Sequence, residues 1–212
     1  MFDFDPIRIL LTIPGIIIGL SCHEFAHAYM SDRLGDPTPR NQGRLTLSPL
    51  PHIDPIGLLM IVFVGFGWAK PVQINPRHYK NPRRDEILVS VAGPLTNLFL
   101  AVLFSILLKV MLTANVFSGM SESLFVNILL LFNSTIWINI ILFIFNLLPL
   151  PPLDGFHILA NIVSPRSYGF LQKLEQYSTI ILILLIVTKV TTYIVGIPAQ
   201  YVYSGIRGIV GF

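Results

Sequence analysis

"IRILLTIPGIIIGLSCHEFAHAYM", residues Ile7 to Met30, is the stretch on which the reading of the fold turns. It exceeds the roughly 20 residues an α-helix needs to cross a bilayer, yet its second half carries His23, Glu24 and His27. If the span ends near Met30, His23 lies about 10 Å below that end at 1.5 Å per residue. A glutamate at such depth costs on the order of 2–3 kcal/mol even on lenient insertion scales, so it should face a watered cavity and serve a purpose. The bland alternative is a helix-end cluster of polar groups reaching back toward water.

The rest of the chain also points to lipid as its solvent. Apolar residues make up 53% and charged residues 12% of 212, against roughly 45–50% and about 25% in soluble domains. Residues 86–112, 123–148 and 177–195 are further candidate spans. Residues 57–68, GLLMIVFVGFGW, are too short to cross. Their mixture of β-branched, aromatic and glycine residues suggests a short re-entrant β-hairpin-like segment shielded by helices, because bare backbone cannot face lipid. The expectation is an all-α polytopic membrane protein of about four transmembrane helices, with residues 1–212 forming a single domain.

Ala26-His27-Ala28 has the small-x-small look of a signal-peptide cleavage site. The acidic leader Met1-Phe2-Asp3-Phe4-Asp5 and the length of the apolar run argue that the segment is retained. The single cysteine, Cys22, excludes an intramolecular disulfide and reads as a small core residue. A pI near 9.1 does not imply nucleic acid, because the basic residues sort by topology. Arg33, Arg40, Arg44, Lys70, Arg77, Lys80, Arg83, Arg84, Arg166 and Lys173 all fall on one side of a four-span chain. The positive-inside bias makes that side cytoplasmic in a multi-pass cell-membrane protein. Arg83 and Arg84 also suit a plain stop at the lipid headgroups.

His23 and His27 stand i and i+4 on a helix, one turn apart on one face, where two imidazoles can grip a single ion. Glu24, about 100° around the helix, is badly placed to be a third ligand. It is well placed to deprotonate an attacking water, which is the logic of H-E-x-x-H. With 5 His in the chain, a shuffled sequence would show the pattern with probability of about 0.002, so the signal is specific. Catalytic zinc normally takes three protein ligands and keeps one position open. Candidates for the third are Asp154, His52, His78, His157 and Asp54. Asp154 stands out by its setting, NLLPLPPLDG from Asn146 to Gly155. There Pro149, Pro151 and Pro152 break a span, and the freed carbonyls are tolerable at depth only beside a cavity. Asp154 would equally suit the start of a short helix over residues 156–163.

HEFAH (His23 to His27), AGPLTN (Ala92 to Asn97) and NLLPLPPLDG occur in an order and spacing that resemble the site-2 protease family of intramembrane zinc metalloproteases. LTLSPLPHIDPIG (Leu45 to Gly57) and GWAKPV (Gly67 to Val72) are similar to its compact branch, which lacks PDZ and CBS domains. The resemblance implies a three-helix catalytic core and one Zn2+ per chain on His23, His27 and Asp154. It further implies Glu24 as general base, Asn97 and Asn146 lining the substrate or oxyanion site, and cleavage of transmembrane segments of other proteins.

From depth and position alone, the asparagines also read as interhelical glue, as do Asn127, Asn133 and Asn139. His52 reads as a gate residue, a fourth ligand, or a structural histidine bonded to Asp54 or backbone. A substrate helix would have to unwind before attack, and an edge strand within residues 57–68 could then pair with it. The competing readings are a zinc transporter or sensor, or a pseudoprotease that escorts substrates without cutting them.

Overall fold

The computed structural model describes residues 6–64, 67–164 and 168–211. The acidic leader, Gly65-Phe66 at the centre of the expected hairpin, and Arg166 lie outside them. The described residues hold helices and loops and no strand. In chain order the helices are α1 (Pro6–Arg33), α2 (Thr38–Asn41), α3 (Pro55–Val64), α4 (Pro82–Thr113), α5 (Glu122–Asn146), α6 (Asp154–Ile162), α7 (Tyr168–Val187), α8 (Val190–Ile194) and α9 (Gly196–Val210), with a 3-10 turn at Pro76–His78. Helices α1, α4, α5 and α7 are long and apolar enough to cross a membrane.

The core is the trio α1, α4 and α5, each packed against the other two. Small residues set their approach. A Cβ on Gly15 would lie 2.8 Å from Thr135 Cα, and one on Gly19 would lie 3.0 Å from Asn139 Oδ1. The GIIIG stretch of α1 is therefore a small-xxx-small face that lets α5 come close, the packing that substitutes for hydrophobic driving force in lipid. Next to this contact along α5, Ala101 and Leu108 of α4, Ile136 and Ile140 of α5, and Ala199 and Ile206 of α9 form one buried apolar cluster. The short C-terminal helix α9 is thus part of the packed body. Its Tyr203 hydroxyl donates to Asn133 Oδ1 at 3.1 Å.

Two sequence expectations need correction. Residues 55–64 are helical, so the hairpin-like reading of residues 57–68 fails there, and with it an edge strand from that part of the chain. The start signal is Asp54-Pro55: Asp54 Oδ1 accepts N–H bonds from Ile56 at 2.8 Å and Gly57 at 3.0 Å, while proline takes the first helical position, where no N–H is needed. At ten residues, α3 reaches about 15 Å, half of a bilayer core. The fourth span is α7, beginning at Tyr168 and ending at Val187 rather than covering 177–195. The polar run Gln172, Lys173, Glu175 and Gln176 disguises its first turns, and Lys189, in the left-handed region at φ 59°, closes it.

The loop after α1 is anchored by Asp36, which is fully buried. Its carboxylate accepts from Ser31 Oγ at 2.9 Å, Thr38 N at 3.0 Å, Thr38 Oγ1 at 2.6 Å and Asn75 N at 2.7 Å. Burial pushes the carboxyl pKa up, but the bonds from Thr38, Asn75 and Ser31 outweigh it and hold the group below its ordinary 3.8. A depressed pKa contributes stability that is present above the ordinary value and lost as pH falls below it. Asp36→Ala should therefore lower the unfolding free energy by about 3 kcal/mol at neutral pH, read by thermal or denaturant melting in detergent. The gap between variant and parent should narrow in acid.

Candidate metal centre

Two helical turns and one broken helix supply the site. His23 and His27 stand one turn apart on α1, both buried, their rings edge to face with centroids 4.6 Å apart. Asp154 comes from the first turn of α6, just past the proline-broken end of α5. Gly155 makes this join possible, because a Cβ there would stand 2.3 Å from the Leu147 carbonyl oxygen. The Nε2 atoms of the two histidines are 3.0 Å apart. Asp154 Oδ2 lies 3.2 Å from His23 Nε2, and Oδ1 lies 3.3 Å from His27 Nε2.

The hydrogen bonds behind the rings decide what the front atoms can do. His27 Nδ1 is 2.8 Å from the Val89 carbonyl oxygen, which only accepts, so Nδ1 carries the proton. His23 Nδ1 is 2.7 Å from Asn97 Oδ1. The orientation of that amide is set by its other end, where Asn97 Nδ2 donates to the Gly19 carbonyl at 3.1 Å and to Asn139 Oδ1 at 3.0 Å. Asn139 Nδ2 in turn donates to the Thr135 carbonyl at 2.8 Å. With both neutral rings protonated at Nδ1, both Nε2 atoms present bare lone pairs to each other and to a carboxylate. Asp154 Oδ2 is buried without a hydrogen-bond donor.

Three converging acceptors with nothing to accept are unstable by themselves and suited to a cation. Their ligand atoms all fall within 4.8 Å of one another. A tetrahedral ion with bonds of roughly 2.0–2.1 Å has donor separations of about 3.3 Å, close to those found here. The donor set, two imidazoles and one carboxylate, suits zinc and leaves a fourth position open.

Helix α4 is shaped around this centre. A Cβ on Gly93 would lie 2.4 Å from His27 Nε2 and 2.6 Å from His23 Cε1, so only glycine lets α4 back onto the imidazoles. Pro94, one residue on, cannot donate to the carbonyl a turn earlier. The neighbouring Val89 carbonyl, in that same turn, accepts from His27.

Glu24 is buried beside the pair, and its Oε2 accepts the Val72 N–H at 2.8 Å. The other sequence candidates go elsewhere. His52 is fully buried and lies outside the ligand group, with Nε2 2.8 Å from the Thr46 carbonyl oxygen rather than on Asp54. Asp54 caps α3. His78 is exposed in the 3-10 turn, and His157 Nδ1 sits 3.4 Å from Glu86 Oε1, tying α6 to α4. Asn146, half-buried, donates to the Leu142 carbonyl at 3.0 Å. Asn97 has no exposed surface, and its amide is committed to His23, Gly19 and Asn139, which places it behind the ligand rather than on an open cleft.

Sequence reasoning missed Gly93, Val89 and Val72; it had Asn139 as interhelical glue, which its bond to Asn97 makes it. Backbone groups carry no sequence signal, but a glycine just before a mid-helix proline did offer one. Because Asn97 fixes the ring and tautomer of His23, Asn97→Ala should weaken zinc binding by roughly 10–100-fold. Competition with a chromophoric chelator measures this, and Asn97→Asp, which keeps an acceptor, should lose less.

Comparison with known proteins adds to this geometry. The model for Peptidase family M50 matches residues 11–188. The chain is 41% identical over 185 residues to the Bacillus subtilis protein named "Putative zinc metalloprotease YwhC", covering 84% of this chain and 81% of that one. It is 32% identical over 187 residues to "Putative zinc metalloprotease Rip2" of Mycolicibacterium smegmatis, covering 84% and 67%. Identity to the Mycobacterium tuberculosis H37Rv protein of the same name is 30% over 182 residues, covering 83% and 66%. No solved structure matches the chain significantly.

Proposed function

The chain belongs to peptidase family M50, the site-2 protease family, and is a membrane zinc metalloprotease; on that premise we propose that it hydrolyses peptide bonds within transmembrane segments of other proteins, near the cytoplasmic face. In this reading His23, His27 and Asp154 hold one zinc, Glu24 is the general base, and residues 1–212 work as one domain. The observation that carries it is depth. His23 lies ten residues before the end of α1 at Arg33, about 15 Å along the helix axis, which supports a substrate bond presented from within the membrane. The cytoplasmic assignment is supported by the basic residues flanking this end of α1 and the start of α4.

When bound, zinc would polarise the attacking water and the scissile carbonyl. The remaining work belongs to the chain. The Val72 N–H holds one oxygen of Glu24, leaving the other to take the water's proton and pass it to the leaving amine. Asn97 and Val89 keep both imidazoles in the tautomer that ligates. Asn146, the last residue of α5, gives one Nδ2–H to the Leu142 carbonyl and has a second to offer to the developing oxyanion. A helical substrate has its carbonyl bonded to the i+4 amide, so the segment must unwind locally before it is cut.

The test is incubation of the purified protein in detergent with a panel of single-span peptides. Cuts should map inside the apolar segment, stop when a chelator strips the metal, and return on adding zinc. Cuts confined to the polar flanks, or cleavage indifferent to the chelator, would overturn the proposal.

A further inference from the structure

We propose that Arg44 is a positioning residue for the base: it pins the backbone segment that presents the Val72 N–H to Glu24. This rests on Glu24 being the general base. Arg44 is buried at 5% exposure, and among the described residues no carboxylate lies within ion-pair distance of it. One guanidinium arm donates to the Pro51 carbonyl and the other to the Lys70 carbonyl. A buried cation neutralised by carbonyl dipoles is a costly brace, and its planar fork suits it to tie two chain segments in fixed register.

What the fork ties down determines where Val72 sits. Lys70 N–H donates to the His52 carbonyl at 2.8 Å, so both backbone groups of Lys70 are held on the side facing the loop before α3. Two residues on, the Val72 N–H meets Glu24 Oε2 at 2.8 Å. Pro71, between them, has no N–H to leave unpaired. Three residues beyond Val72, the Asn75 N–H is taken by Asp36 at 2.7 Å. The segment is thus fastened at both ends, with the contact to the base between the fastenings. Arg44 is none of the proposed metal ligands; its charge also acts on Glu24 through space, and Arg44→Lys, which keeps that charge, separates this effect from the fastening of the segment.

The experiment compares wild type, Arg44→Ala, Arg44→Lys, Val72→Pro and the Arg44→Ala/Val72→Pro double variant on a single-span peptide in detergent, with zinc content and melting temperature measured in parallel. Arg44→Ala should lower kcat by roughly 10–100-fold with KM and bound zinc unchanged. Arg44→Lys, able to hold one carbonyl, should fall between it and wild type. Val72→Pro, which deletes the N–H, should give a similar loss, and the double variant should be no slower than the worse single one. Three outcomes overturn the inference: wild-type kcat in both Arg44 variants, loss of zinc alongside kcat in both, or losses that multiply in the double variant. Glu24→Gln separates this from the parent reading. If it stays active, the base assignment itself fails; if it is dead while Arg44→Lys and Arg44→Ala turn over normally, only the role of Arg44 fails.

Discussion

Glu24→Gln should retain one zinc per chain and cleave peptides about 1,000-fold more slowly, or not measurably. The expectation follows from the separation of roles in the structure. The three atoms placed to hold a metal come from His23, His27 and Asp154, and Glu24 is held through its own carboxylate by the Val72 N–H. Glutamine keeps the size and still accepts that N–H, so the fold and the metal should be untouched. What disappears is the ability to take up a proton, an effect typically of 10²–10⁴-fold. The check is parallel metal analysis and peptide turnover. Loss of zinc in this variant would mean that Glu24 is a ligand after all.

Gly93→Ala should do the reverse, removing the metal without replacing any proposed ligand or the proposed base. The added methyl would sit 2.4 Å from His27 Nε2 and 2.7 Å from His27 Cε1, far inside van der Waals contact. The rings cannot retreat easily, because each is tethered through Nδ1, to Asn97 and to Val89. Either α4 moves off α1 or the imidazoles lose their convergence, and zinc affinity should fall by at least the roughly 100-fold upper range seen for outer-shell changes. Gly205→Ala on α9, where a Cβ meets nothing within 4 Å, is the control and should bind zinc normally. Helical content by circular dichroism should match the parent in both, so that lost metal is not confused with lost fold.

The parts of this protein that were legible in its sequence are those whose physics is written in side-chain type and spacing. The lipid-facing spans announce themselves by length and apolarity, and His23 and His27 by a spacing that a helix converts into a shared face. Asp154 was legible because three prolines in the preceding six residues have few uses in a membrane other than lining a cavity. Short elements were harder. Helix α3 reads as strand by composition, and the deciding signal was the single dipeptide Asp54-Pro55 in front of it. Helix α7 began where charged residues obscured its apolar face.

The supporting layer of the site was the least legible. Asn97 stood out as a polar residue in a span, but that it bonds His23 depends on its neighbour Asn139, which the sequence presents as one of several interchangeable asparagines on α5. The contributions of Val89 and Val72 are made through backbone atoms and look identical in any sequence. Their importance comes only from the register in which α4 and residues 67–75 lie against α1.

X-ray absorption at the zinc edge of the Glu24→Gln protein, purified with its metal, tests the central claim most directly. The account predicts one zinc per chain with two imidazole nitrogens and a carboxylate oxygen among its ligands, and loss of that signal in Asp154→Ala. A sulfur scatterer from Cys22, a metal environment unchanged by Asp154→Ala, or no stoichiometric zinc at all would contradict it.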